Sequence, residues 1–441
     1  MLALNPVRNV LLTLIPTPAI LFPTTARSTL GADTGSEICP RESSSPPLQL
    51  PVCSSRSFKW TNIEPDILPS TQEQAHHPAL SSAWQAARDQ GWQGPAHCVN
   101  ETCVFWHDEI GGQDKRKDGK GIVLLTDPFY AAVIAEYTRT PDTNVDPLPF
   151  RVADIPGKGS GLVATRDIGI GETLMVRSPS FVAATEAIVG MEAGARDAMY
   201  ERALGKMESR RREAFMTQVG SGVHQKIDMN CFQMFLGHDE SSGHLGCYPP
   251  DINRFNHACR PNIHYRLNNI THTTVAIRDI SAGEELSISY IDLLLTHQER
   301  QMRLQSWGFN CSCAHCHASP SEIIASDTRL HRIARLKTDL GNFSDTLVSA
   351  ETGAQLVSLY QEEKLLTYLG NAYTRAALNF ALFGDEDRAR QYAGHAVEAL
   401  EREYGKDQSG DAAAMRVLRE DPRKHWTWGK RRTGMGNMHS S

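Results

Sequence analysis

Apolar and polar residues follow two different rhythms along this chain. From Phe150 onward the apolar positions come in short runs broken by glycine-containing turns, the texture of β-strands. Within that stretch Ala164-Thr165-Arg166-Asp167-Ile168-Gly169-Ile170-Gly171-Glu172-Thr173-Leu174 is echoed by Ala276-Ile277-Arg278-Asp279-Ile280-Ser281-Ala282-Gly283-Glu284-Glu285-Leu286. Both fit A-x-R-D-I-x-x-G-E-x-L and read as strand, glycine turn, strand, so two similar hairpins in one domain are predicted rather than a solenoid repeat. Between them, Ala184 to Val219 is rich in Glu, Lys, Arg, Met and Ala, which predicts a helical insertion over about 184–225. Further on, Tyr373, Ala376, Ala377 and Phe380, then Ala389, Tyr392, Ala393, Ala396, Val397 and Leu400, recur at spacings of three and four. Gly384 is placed to stop one helix and Asp385 to cap the next.

These rhythms divide the chain into a β-rich domain at 148–292, a helical region at 321–420 and a tail at 421–441, an α+β class overall. Residues 27–147 read as a Ser/Pro/Thr-rich linker followed by a small unit, in which Cys98 and Cys103 bracket a short loop and Gly121-Ile122-Val123-Leu124-Leu125 forms a strand. At 1–26 the apolar run Val10–Phe22 and the small residues Thr24-Thr25-Ala26 read either as a secretory signal or as a disordered leader. Pro16, Pro18 and Pro23 argue against a membrane-spanning helix there. The 441 residues, 40% hydrophobic and 22% charged, suffice for a sizeable core. A formal charge of -6 offers no support for nucleic-acid binding, and Lys115-Arg116-Lys117 and Lys430-Arg431-Arg432 read as solvated runs. Asn100-Glu101-Thr102 and Asn342-Phe343-Ser344 fit the glycosylation triplet, a common pattern that decides nothing alone.

The chemistry concentrates in one segment. Asn256-His257-Ala258-Cys259-Arg260-Pro261-Asn262 is followed by Glu285-Leu286-Ser287-Ile288-Ser289-Tyr290-Ile291-Asp292, then by Trp307-Gly308-Phe309-Asn310-Cys311-Ser312-Cys313-Ala314-His315-Cys316. Thiolates at C-x-C-x-x-C supply three of the four tetrahedral ligands that Zn²⁺ takes, leaving the fourth to come from elsewhere. Cys231 and Cys247 read as separate buried thiols. Upstream, Gly157-Lys158-Gly159-Ser160-Gly161 is glycine-rich but leads into a hairpin, so it is neither a phosphate loop nor a dinucleotide fingerprint.

This ordered trio resembles the SET-domain lysine methyltransferases: an N-H-x-C-x-P-N loop, an E-L-x-x-S-Y strand and a C-x-C-x-x-C post-SET tail at 303–317. Helical insertion, the N-x-F element Asn230-Cys231-Phe232 and a helical tail with tetratricopeptide-like pairs are most similar to the SET-and-MYND type, without the MYND zinc finger. The resemblance implies Zn²⁺ on Cys259, Cys311, Cys313 and Cys316. It further implies S-adenosylmethionine held by Lys158, Gly159, Gly161, Asn230, Asn256, His257, Tyr290 and Phe309, with Tyr290 catalytic. The implied partner is a lysine of a histone or another protein, met by a monomeric enzyme without nucleic-acid or transmembrane segments. Such chemistry suits nucleus or cytoplasm, whereas the leader suits the secretory route. The competing reading is an inactive SET scaffold that binds proteins through its helical tail.

Overall fold

The computed structural model describes residues 78–110, 120–138, 143–144, 148–236, 243–343 and 348–431. The leader at 1–26, the linker with Cys39 and Cys53, and the Lys115–Lys117 run lie outside the described residues.

Helix α1 (Pro78–Asp89) leads into the hairpin of β1 (Gln93–Val99) and β2 (Thr102–His107), closed by a Cys98–Cys103 disulfide. The wholly buried β3 (Ile122–Thr126) precedes α2 (Pro128–Tyr137), whose capping Asp127 accepts from the Tyr130 amide. After β4 (Thr143–Asn144) come β5 (Phe150–Ile155), β6 (Gly159–Ala164), β7 (Thr173–Arg177) and β8 (Phe181–Ala184). Helices α3 (Thr185–Gly190), α4 (Ala193–Leu204), α5 (Ser209–Met216) and α6 (Val223–Asn230) occupy the interval where the insertion is expected. The strands resume with β9 (Phe232–Phe235), β10 (Gly243–Cys247), β11 (Asn256–His257), β12 (Ile263–Asn268), β13 (Thr271–Ala276) and β14 (Glu285–Ile288).

Three sheets result, ordered β1-β2-β3-β8-β10-β9, β11-β14-β6-β5 and β12-β13-β7-β4. Because β3 pairs in parallel with β8, Val123 opposite Phe181, the strands before residue 148 complete a sheet of the β-rich domain instead of closing on themselves. One expectation is corrected here: Cys231 and Cys247 are not separate thiols but a disulfide. The antiparallel register of β9 and β10 sets Phe232 opposite Gly246, and the next position in that register is occupied by the two cysteines.

The two echo segments are not the hairpins expected: β6 and β7 lie in different sheets, as do β13 and β14, and each strand pairs with one of the other copy, β6 with β14 and β7 with β13. Ile168 and Ile280 exchange both backbone hydrogen bonds at 2.9 Å. Asp167 Oδ1 accepts from the Ala282 amide at 2.9 Å, and Asp279 Oδ1 accepts from the Ile170 amide at 2.8 Å, two equivalent contacts related by the repeat. Arg166 pairs with Glu172 and Arg278 with Glu284 inside each copy. Gly171 and Gly283 hold matching positive φ values of 84° and 90°, which the turn requires of a glycine.

Beyond Asp292 the chain is helical: α7 (His297–Leu304), α8 (Pro320–Gly341), α9 (Thr352–Glu362), α10 (Leu369–Phe383), α11 (Glu386–Tyr404) and α12 (Gly410–Glu420). Gly384 ends α10 in the left-handed region and the Asp385 side chain caps α11 through the Arg388 amide. The positions spaced by three and four form the core of this hairpin, with Ala376, Ala377, Phe380, Ala389, Ala393, Ala396 and Leu400 buried. The far end of α11 docks on β12, where His264 Nε2 donates to the Glu403 carbonyl and Arg266 to that of Arg402. Among the described residues, no helix is long and apolar enough to cross a membrane.

Candidate functional site

Strand β14 is the axis of the site, because it pairs in parallel with β11 and antiparallel with β6. Three segments distant in sequence are thereby brought side by side. The turn before β6 runs through Gly157 and Gly159 at φ 74° and 71°, conformations that favour glycine, and lifts Lys158 over the start of β14. Lys158 Nζ pairs with Glu285 Oε2 at 2.6 Å, and Asn256 Nδ2 donates to Glu285 Oε1 at 3.0 Å. A Cβ at Gly161 would lie 2.6 Å from both Asn256 Nδ2 and Ile155 Cγ1, so glycine is needed for this close approach. The structure thus gathers Lys158, Gly161 and Asn256, three of the residues implied by the resemblance, around a carboxylate that sequence reasoning left out. Glu285 opens the E-L-x-x-S-Y strand, but nothing in that pattern says that its side chain faces the glycine turn.

One step along the strands, His257 is buried and both its ring nitrogens are used. Nδ1 accepts from the Tyr290 amide at 3.1 Å, so the ring proton belongs on Nε2, which lies 3.3 Å from Cys259 Sγ. Burial lowers its pKa to about 3, and the ring is neutral. The imidazole therefore ties the E-L-x-x-S-Y strand to the cysteine loop. Asn262 adds a second tie, accepting from the Ser287 amide at 2.8 Å and donating to the Glu285 carbonyl at 2.9 Å. The Tyr290 hydroxyl donates to the Phe255 carbonyl at 2.7 Å, and burial pushes its phenol well above the ordinary value. Trp307, Phe309 and His257 surround its ring at centroid distances of 5.9, 6.4 and 5.4 Å.

The four cysteines converge as the resemblance implies. Their sulfurs all lie within 4.8 Å of one another, with Cys259 Sγ 3.8 Å from Cys311 Sγ and 3.4 Å from Cys316 Sγ. Four sulfurs around a tetrahedral Zn²⁺, at about 2.3 Å each, would sit about 3.8 Å apart, so the donor set fits that ion. Cys259, Cys311 and Cys316 are buried, and the backbone of Cys311 is clamped by both amide atoms of Gln301 on α7. Hydrogen bonds shared among the thiols push Cys259 up and draw Cys313 down. Arg260, next to Cys259, reaches into the helical region and pairs with the wholly buried carboxylate of Glu363 at 2.6 Å.

Two further implied residues have partners of their own. Asn230 spends its amide nitrogen on the carbonyls of Val219 and Lys226 at 2.8 and 2.7 Å, closing the end of α6. Phe309 stands 6.3 Å from the ring of His257. Phe232, from the same N-x-F element, belongs to a group of rings with Tyr248, Tyr265 and His272.

Comparison with known proteins agrees with this geometry. Residues 159–291 match the family model described as SET domain. The chain is 27% identical over 293 residues to the histone-lysine N-methyltransferase set5 of Schizosaccharomyces pombe, covering 63% of this chain and 85% of that protein. It is 37% identical over 92 residues to the human histone-lysine N-methyltransferase SMYD3, 21% of each chain, and 35% over 97 residues to the N-lysine methyltransferase SMYD2-B of Danio rerio, 22% of each. The chain thus spans most of the yeast protein and about a fifth of the SMYD proteins. A SET domain matches residues 159–291, and the chain is similar to lysine methyltransferases of the SMYD type.

Proposed function

We propose that this SET-domain protein is an S-adenosylmethionine-dependent protein-lysine N-methyltransferase with a structural zinc, acting on a lysine of a histone or another protein. The observation that carries the reading is the convergence of Lys158, Gly161 and Asn256 beside β14, two residues past whose end stands Tyr290. A cradle that a single Cβ would fill, flanked by a cation and an amide, suits the amino-acid end of that cofactor. When bound, the cofactor would supply a sulfonium-activated methyl group, which leaves the protein mainly alignment to provide.

Each residue then has a physical task. Lys158 would meet the cofactor carboxylate, and the glycine turn would allow close backbone approach. His257, with both ring nitrogens engaged, would act as the brace between Tyr290 and the zinc loop and would meet the cofactor through its backbone. A lysine ammonium has no lone pair and must lose its proton before it attacks; apolar walls such as Trp307 and Phe309 favour the neutral amine by desolvation. Tyr290, kept protonated by burial and fixed by Phe255, would present its oxygen to the incoming amine. Cys259, Cys311, Cys313 and Cys316 would hold zinc and close the loop over the site.

Isothermal titration of zinc-loaded, full-length protein with S-adenosylhomocysteine is expected to give saturable 1:1 binding; absence of binding would leave the inactive scaffold. Labelled methyl donor, incubated with a native-host extract, should mark protein lysines. Tyr290→Phe should retain cofactor affinity and lose at least about a hundredfold in transfer rate; unchanged transfer would remove Tyr290 from its role.

A further inference from the structure

We infer that Glu285 reads the ammonium group of the bound cofactor, making the site selective for a ligand with an intact α-amino-acid end; this rests on the cofactor reading proposed above. The observation is the arrangement of opposite charges on one floor. Glu285 Oε2 is 2.6 Å from Lys158 Nζ, Oε1 is 3.0 Å from Asn256 Nδ2, and Oε1 would be 3.5 Å from a Cβ placed at Gly161. Lys158 and Glu285 are 21% and 22% exposed in their side chains, so the pair borders the space above the glycine turn.

An α-amino acid is itself a neutral pair of opposite charges. Lys158 paired with Glu285 is its electrostatic mirror: exchanging one internal pair for two intermolecular ones conserves charge and leaves no group unpaired. A partly solvated ion pair of this kind is weak, so it opens readily to a better-matched partner. A ligand that carries the carboxylate but lacks the ammonium meets a different floor. Its carboxylate would compete with Glu285 for Lys158, and two carboxylates would face each other without a cation between them. The repeat adds an independent pointer. In the companion segment the position equivalent to Glu285 is Thr173, while the flanking Glu172 and Leu174 match Glu284 and Leu286. Glu172 and Glu284 each pair with an arginine of their own copy, whereas Glu285 alone turns to the glycine loop. The carboxylate is therefore not part of what holds the two turns together.

The test compares S-adenosylhomocysteine with its desamino analogue, in which hydrogen replaces the ammonium, on zinc-loaded full-length protein. The native chain should prefer the amino form by about thirtyfold or more. Glu285→Gln should weaken the amino form by roughly ten- to a hundredfold, the loss of one charge-assisted contact, and change the desamino form by less than about threefold. Glu285→Asp, which keeps the charge, should retain most of the preference, and zinc content with circular dichroism will show that both variants fold. An equal loss for both ligands would overturn the inference, because Glu285 would then only position Lys158 and Asn256. An undiminished preference in Glu285→Gln would overturn it too, placing the ammonium elsewhere. Failure of the native chain to bind either ligand would instead remove the cofactor reading, and this inference with it.

Discussion

His272 lies at the centre of a ring cluster, fully buried, with Phe232, Tyr248 and Tyr265 at centroid distances of 4.7, 5.0 and 5.1 Å. Among the described residues neither of its ring nitrogens has a hydrogen-bond partner. Burial, aided by His264 and Arg177, lowers its pKa to about 3, and burial lowers that of His264 to about 4. Both depressed values mean that the unfolded chain binds protons as the pH falls through about 6.5 while the folded chain does not. Stability should thus be level above that pH and fall below it, approaching about 1.4 kcal/mol per pH unit for each histidine until the folded values are reached. Urea unfolding at pH 7, 6 and 5 should show the decline, and His272→Phe should flatten it; an unchanged slope would contradict the assignment. The sequence gives no hint of this cluster, because β13 is buried on both faces and Thr271-His272-Thr273-Thr274 lacks the alternation that marks an inward residue. Lys158, Gly161 and Asn256 stand out in the sequence for the opposite reason: a glycine-rich turn and an asparagine-histidine-cysteine order carry a family resemblance that periodicity does not. Glu285 escaped, since its role depends on which loop lies across from it.

At the scale of elements, the repeat predicted two hairpins, whereas the strands of each copy lie in different sheets and pair across the copies, because the turn of each copy is clasped by the other. The sequence shows Asp167 and Asp279 as equivalent; only the fold shows that each accepts an amide of the opposite copy. Because the two contacts belong to one interlock, their energies should not add. Asp167→Ala and Asp279→Ala should each cost about 1–2 kcal/mol, and the double variant less than their sum by about 0.5 kcal/mol or more. Denaturant melts of the four proteins in this cycle measure the coupling; strict additivity would mean that the two contacts hold independently. The cysteines divide along the same line. Cys311, Cys313 and Cys316 announce themselves by spacing, whereas the Cys231–Cys247 bond depends on the register of β9 and β10, which short strands without strong alternation do not encode.

Across the whole molecule, the helical region is more than an appendage, because its most buried charge faces the cysteine loop. Glu363 follows α9 directly, at a helix C-terminus where a carboxylate is disfavoured by the peptide dipoles. Burial also pushes its pKa up, yet Arg260, Ser326 and Arg329, at 2.6, 2.9 and 2.6 Å, hold it below the ordinary carboxylate range. Arg260 is 103 positions earlier in sequence and adjacent to Cys259, so this carboxylate couples the helical tail to the cysteine loop. Removing one partner of such a buried pair leaves the other charge stranded, and Glu363→Ala should cost about 3–5 kcal/mol. The sign of the pH effect follows from the lowered value: the contribution is complete above the unfolded carboxyl pKa of about 4.5 and is lost as the pH falls through the folded one. If the tail braces the cysteine loop, Glu363→Ala should also release zinc faster to a chelator at neutral pH, while Glu351→Ala, removing an exposed partner of Arg388 on the same region, should not. Equal zinc release from both variants and native protein would show that the helices stabilise the fold without reaching the metal.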